Sequence, residues 1–97
     1  MIVRLGNHEF DHVVYDAKGD VLYLSRGEPA PARTTLPSLE GHAVRLNDAD
    51  EIIGITIVGA KWWAERDGRI TVTIPDSTCF PERLETSAEE LAPVLAA

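Results

Sequence analysis

Cysteine is almost missing from this chain: Cys79 is the single one among 97 residues. One thiol permits no internal disulfide and excludes a thiolate zinc site, which draws several ligands from the same chain. The expectation is a reducing, cytoplasmic setting. Cys79 is followed by Phe80-Pro81 and has acidic residues nearby, so it lacks the electropositive neighbours that activate a nucleophilic thiol. Long apolar runs are also missing. No segment approaches the roughly 20 residues needed to cross a bilayer, and Met1 to Gly6 turns polar too soon for a signal peptide. Positive charge is short, with 9 Lys and Arg against 16 Asp and Glu and a net charge of −7. That balance repels phosphate backbones and argues against a nucleic-acid binder, even if Arg26, Arg33 and Arg45 line a basic strip. There is no Gly-x-Ser-x-Gly elbow, no phosphate-binding glycine loop and no dinucleotide fingerprint. His8, His12 and His42 are scattered, and a histidine metal site would need accidental convergence. No nucleophile–base arrangement emerges, so the chain reads as a non-enzyme with no cofactor.

What is present is ordinary globular composition, 44% hydrophobic and 26% charged, in a length that suits one domain with one modest core. The segment from Phe10 to Leu24 reads as a β-hairpin. Phe10, His12 and Val14 share a face by period-two spacing. Asp16 to Asp20 makes the turn, with Gly19 where a three-residue loop needs a left-handed residue. That register sets Tyr15 opposite Val21, Val14 opposite Leu22 and Val13 opposite Tyr23. Both faces of the hairpin are then apolar and both need covering, by a helix, another sheet or a second subunit.

Ile2 to Leu5 supplies a short first strand. Gly27 to Leu39 carries Pro29, Pro31 and Pro37 and reads as a connection with a short edge strand around Thr34 to Leu36. His42 to Leu46 alternates, with Val44 and Leu46 on one side and Arg45 on the other. The turn Asn47 to Glu51 leads into Ile52 to Val58, the most β-prone segment and the expected central strand. Gly54 within it implies a bulge or a close backbone approach. Lys61 to Arg66 has helix-favouring composition, but Asp67-Gly68 and the strand Arg69 to Ile74, ended by Pro75, favour a hairpin. That hairpin would pair Trp63 with Val72 and Trp62 with Thr73, a short helix being the alternative. Residues 59–75 thus read as a tryptophan hairpin. Ser87 with Glu90 forms a capping box for a C-terminal helix over 86–96, docked by Leu84, Leu91, Val94 and Leu95 and kinked or broken at Pro93. The expected fold is α+β, mainly β: a single domain, 1–97, built as an antiparallel β-meander with a short C-terminal helix.

The pattern Tyr15-Asp16-x-x-x-Asp20-x-Leu22-Tyr23-Leu24, followed by Ile53-Gly54-Ile55, resembles the uncharacterised family known as domain of unknown function 2283. The likeness spans roughly Val13 to Val58, the family-like core. Two positions depart from the family pattern: Asp50 stands where the turn usually has Gly, and Thr56 where Glu is usual. Aspartate tolerates left-handed geometry, so the turn is expected to survive; any role of the family's glutamate is lost. The resemblance implies little about activity beyond an antitoxin-like or partner-binding role.

Two candidate sites follow. In a meander the two acidic turns fall at one end of the sheet, so Asp16, Asp20, Asp48 and Asp50 could converge on a divalent ion through oxygen ligands. Asp and Asn also populate turns simply because they bond their own backbone. The other candidate is an interface of Tyr15, Val21 and Tyr23 with Trp62 and Trp63, tryptophan being enriched at binding hot spots. The function expected is a non-catalytic protein-interaction module, antitoxin-like, acting as a homodimer or with a small protein partner. A small-ligand or divalent-metal domain using the acidic turns is the alternative.

Overall fold

The computed structural model describes residues 2–28, 31–74 and 82–95. The chain forms β1 (Val3–Leu5), β2 (His8–Phe10), β3 (His12–Asp16), β4 (Val21–Ser25), β5 (Thr34–Pro37), β6 (Ala43–Leu46) and β7 (Ile52–Val58). It continues through α1 (Ala60–Asp67), β8 (Arg69–Ile74), β9 (Glu82–Ser87) and α2 (Ala88–Leu95). The class is the expected one, α+β and mainly antiparallel β with a short C-terminal helix. Pro29, Pro75 and Cys79 lie outside the described residues.

Five strands make the central sheet in the order β3-β4-β7-β6-β5. Within the antiparallel class this departs from a plain meander. After β4 the chain crosses to the far edge, and β5, β6 and β7 return strand by strand until β7 lies beside β4, a Greek-key arrangement. The β-branched run of β7 occupies the middle, as its composition demands. Its register against β6 shifts between Arg45 and Leu46, so Ile53 is an extra residue and Ile52 turns inward beside Gly54. A Cβ on Gly54 would stand 2.9 Å from the Leu24 carbonyl oxygen. The glycine therefore serves both readings its position allowed.

One face of this sheet carries Leu22, Leu24, Val44, Ile55 and Ile57, all essentially inaccessible. They share one core with Phe10 from the β1–β2 hairpin, Ala64 of α1, Ile70 and Val72 of β8, and Leu91 of α2. Each Leu or Ile fully buried here contributes about 1.5–3 kcal/mol relative to exposure.

The first hairpin differs from expectation by one residue. Tyr15 pairs with Leu22, Val14 with Tyr23 and Asp16 with Val21. The left-handed residue of the turn is Asp20, at φ 54°, and not Gly19. The loop is consequently four residues long, and Tyr15 shares a face with Leu22 instead of Val21. The run from Phe10 is also interrupted. Phe10 pairs with Val3 in a separate hairpin and is buried, whereas His12 and Val14 are exposed.

The tryptophan hairpin expected over 59–75 does not form; Trp62 and Trp63 lie on helix α1. Gly68 takes a left-handed φ of 70° as the C-cap, its amide bonding the Ala64 carbonyl. Positive φ serves a helix C-cap as well as a hairpin turn, which is why Asp67-Gly68 pointed both ways. β8 pairs instead with β9, from Arg69 opposite Ser87 to Ile74 opposite Glu82. Ser87 Oγ accepts the Glu90 amide at 3.1 Å, half of the expected capping box, while the Glu90 carboxylate takes the Thr86 hydroxyl at 3.2 Å. The helix runs through Pro93 to Leu95 without breaking there, and Leu84, Leu91, Val94 and Leu95 dock it as expected.

Candidate functional site

The first acidic turn is a structural joint. Asp16 Oδ1 accepts the Lys18 amide at 3.1 Å, the Asx-turn role open to any turn aspartate. Asp20 does more. Its carbonyl accepts the amides of Gly59 and Ala60 at 2.8 and 3.2 Å. Its carboxylate accepts the Lys61 amide at 2.7 Å on Oδ1 and the Trp62 amide at 3.1 Å on Oδ2. The N-cap position of α1 is Gly59, which has no side chain to offer, so the cap arrives from a turn far upstream. The Tyr15 hydroxyl adds a 2.7 Å bond to Asp20 Oδ1. Burial pushes the Asp20 carboxyl up, but the Lys61 amide, the Tyr15 hydroxyl, the Trp62 amide and the Lys61 charge together bring it below the usual value. Burial and the Asp20 carboxylate push the Tyr15 hydroxyl up to about 12.

The second acidic turn is local. Asn47 Oδ1 accepts the amides of Ala49 and Glu51 at 2.9 and 3.0 Å, and Asp50 takes a left-handed φ of 60°. Arg33 crosses this loop, its guanidinium on the Asp50 carboxylate and 3.9 Å from Asp48. The strand order puts this turn at the start of β7 and the Asp16–Asp20 turn beside its end. Asp16 and Asp20 are therefore separated from Asp48 and Asp50 by the length of the central sheet. They do not converge on one ion, because the chain traverses three strands, β4, β5 and β6, between the two turns, and with alternating strand directions an odd number leaves the turns at opposite ends of the sheet. Among the described residues no group of three or more His, Cys, Asp or Glu is placed to hold a metal.

The five interface candidates separate as well. The one-residue register turns Tyr15 inward against the core while Val21 and Tyr23 face outward. Trp62 is exposed on α1, and Trp63 is half-buried against the core. Their rings meet edge to face at 4.9 Å with Arg66 over both, so they are neighbours and not residues on opposite faces of a strand.

The outer face of the central sheet is where apolar surface remains. Val14, Tyr23, Thr56 and Ala43 run across β3, β4, β7 and β6 in one cross-strand row. Val14 is 49% and Tyr23 44% exposed, and Val58, at 51%, adjoins them in the row with Val21. His12, Ser25, Arg45 and Thr56 join Val14 and Tyr23 around a shallow cleft of ≈ 250 Å³. Arg45 lies across Gly54, which has no side chain to displace it. No single-sequence motif marks this face. Its only signal is that the hairpin alternates apolar residues on both sides.

The sequence set His42 aside with the other histidines, yet it is the most buried polar side chain among the described residues. It is 1% exposed and accepts the Val58 amide on Nδ1 at 3.1 Å, which places the imidazole proton on Nε2. Nε2 has no hydrogen-bond partner, and the ring meets Trp63 edge to face at 6.1 Å. Burial lowers its pKa, opposed by the Glu40 charge. Glu40 itself is tied to β8, accepting the Thr73 amide and hydroxyl at 2.7 and 2.6 Å.

Fold and site together define a mainly antiparallel α+β domain whose central sheet is covered on one side and, among the described residues, open on the other. A scan against protein-family models, a search of curated proteins and a search of solved structures each returned no match. No helix among the described residues is long and apolar enough to cross a membrane.

Proposed function

We propose that this chain is a non-catalytic protein-interaction module that works through the open face of its central sheet. Under this reading it is cytoplasmic and associates as a homodimer or with a small protein partner. The antitoxin-like role is the form implied by its likeness to domain of unknown function 2283. One observation carries the reading: Val14 and Tyr23, directly opposite on neighbouring strands, are about half exposed and adjoin Val58 on a face that no described segment covers. Half-exposed Val and Tyr rimmed by His12, Arg45 and Thr56 suit a protein contact, with an aromatic anchor at the centre and polar groups around it.

The test compares the tagged full chain with a Val14→Glu/Tyr23→Glu variant in affinity purification from the source cells. Both variant positions are exposed, so both proteins should melt cooperatively at similar temperatures. A protein, including an untagged second copy, retained by the wild type and lost from the variant supports the reading. Equal retention by both, or nothing retained by either, sinks it.

A further inference from the structure

The central sheet ends differently at its two edges. β5 carries Pro37, and the turn after it is bonded to β8 through the Leu39 amide and the Glu40 carboxylate. β3, at the other edge, reads His12-Val13-Val14-Tyr15-Asp16 and contains neither proline nor lysine. Its backbone makes no bonds outside its pairing with β4 among the described residues. An edge strand leaves a row of N–H and C=O groups ready to pair with another strand, and proteins that avoid this guard the edge with Pro, Lys or a bulge. Among the described residues only one edge is guarded.

We propose that β3 pairs antiparallel with β3 of a second copy of this chain, about a two-fold axis through Val14, to give a continuous ten-stranded sheet. The strand is complementary to itself in that register. Val14 faces Val14 of the partner, Val13 faces the partner's Tyr15, and His12 faces the partner's Asp16. His12 and Asp16 are both exposed and lie on the same face as Val14. Each dimer thus gains two imidazole–carboxylate pairs and an apolar centre, and the rows of Val14 and Tyr23 from the two copies join across the axis. Opposite charges directly facing across strands stabilise pairing, and like charges there destabilise it. A two-fold axis makes such an interface self-complementary by construction. Five residues span roughly 17 Å, so the interface is smaller than the ~1,200 Å² of the standard class and the dimer is weak, on the order of micromolar. The inference rests on the interaction-module reading and names the partner.

The register gives the test. In a Cys79→Ser background, a Val14→Cys chain should form a disulfide-linked dimer on mild oxidation. Directly opposed strand residues have Cα atoms about 4.5–5.5 Å apart, within disulfide reach. His12→Cys alone and Asp16→Cys alone should not cross-link, but their equimolar mixture should. In sedimentation of the otherwise native chain, His12→Asp should weaken the dimer roughly tenfold by setting two like-charged pairs, and the exchange His12→Asp/Asp16→His should recover most of that loss. A chain that stays monomeric through hundreds of micromolar overturns β3 pairing, and so does self-linking by His12→Cys equal to that of Val14→Cys. A dimer that forms without the Val14 cross-link and is lost in Val14→Glu/Tyr23→Glu also overturns the β3 register, while leaving the open face as an interaction surface. Only a monomer that also retains no partner on that face removes both readings.

Discussion

The two acidic turns look alike in sequence and do opposite amounts of work. Each contains a left-handed aspartate shortly before a strand, Asp20 at φ 54° and Asp50 at φ 60°. Asp20 closes a long loop in the chain, binding four amides at the start of α1 and the hydroxyl of Tyr15. The carboxylate of Asp50 meets Arg33 on the surface. A residue type and a backbone angle therefore do not set a turn's energetic role. What sets it is whether another element ends within hydrogen-bond reach without donors or acceptors of its own to complete it. Gly59 leaves α1 uncapped, and Asp20 completes it.

The largest effect expected from this contrast is at Asp20. Asp20→Gly keeps the positive φ at no steric cost, so it isolates the carboxylate. It should lose about 2–3 kcal/mol, the worth of a good N-cap plus orphaned amides and an unpaired Tyr15 hydroxyl. Chemical denaturation followed by tryptophan fluorescence reads it directly, since Trp62 and Trp63 sit on the helix concerned. A loss under 1 kcal/mol would make the two turns equivalent and the cap decorative.

How much of this was legible in the sequence follows from the range of the forces involved. The β-branched run of β7 announced a central strand because its propensity and its burial agree. The capping box at Ser87 was readable because both partners lie within one turn of the helix. Helix α1 was obscured because its cap is supplied from Asp20, which no local window connects to Lys61. The hairpin register slipped for the same reason: Gly19 is the better left-handed residue locally, but Asp20 must turn towards α1 for its carboxylate to reach those amides. Strand β9 gave too thin an alternation, with only Leu84 and the polar Thr86 facing inward among Arg83, Glu85 and Ser87. The open sheet face was implied by a hairpin apolar on both sides, but which side stays open depends on that one-residue register. The supposed metal site failed on strand count: with β5 a full strand, three strands lie between the two acidic turns, and an odd number leaves them at opposite ends.

Acid should separate the two ends of the sheet at a second site. His42 lies at the end occupied by Asp20, accepting the Val58 amide in neutral form, and its folded pKa is lowered mainly by burial. A lowered histidine pKa means that the unfolded chain takes up the proton first. The stability His42 contributes is complete above about pH 6.5 and declines as pH falls below that value towards its folded pKa. His42→Gln can still accept the Val58 amide through its side-chain carbonyl but has no proton to gain. The wild type should therefore lose several degrees more in melting temperature than His42→Gln between pH 7 and pH 5. The further fall expected below pH 4, where Asp20 with its lowered carboxyl pKa loses its charge, should be common to both proteins. Parallel curves from pH 7 to pH 5 would mean that His42 does not discriminate between its protonation states.

The smallest effect is the most diagnostic. Asp50→Gly makes the same chemical change as Asp20→Gly, at nearly the same backbone angle, in the turn that caps nothing. Relief of the left-handed strain contributes up to about 1 kcal/mol. The extra freedom glycine brings to the unfolded chain costs about 0.4–1 kcal/mol. The exposed Arg33 pair adds little, about 0–1 kcal/mol. These terms nearly cancel, so the variant should unfold within about 0.5 kcal/mol of the wild type, whereas Asp20→Gly falls well below both. Equal losses from the two substitutions would locate the cost in the glycine itself. Unequal losses locate it in what the Asp20 carboxylate holds, the Lys61 and Trp62 amides at the head of α1 and the Tyr15 hydroxyl, which is where the geometry puts it.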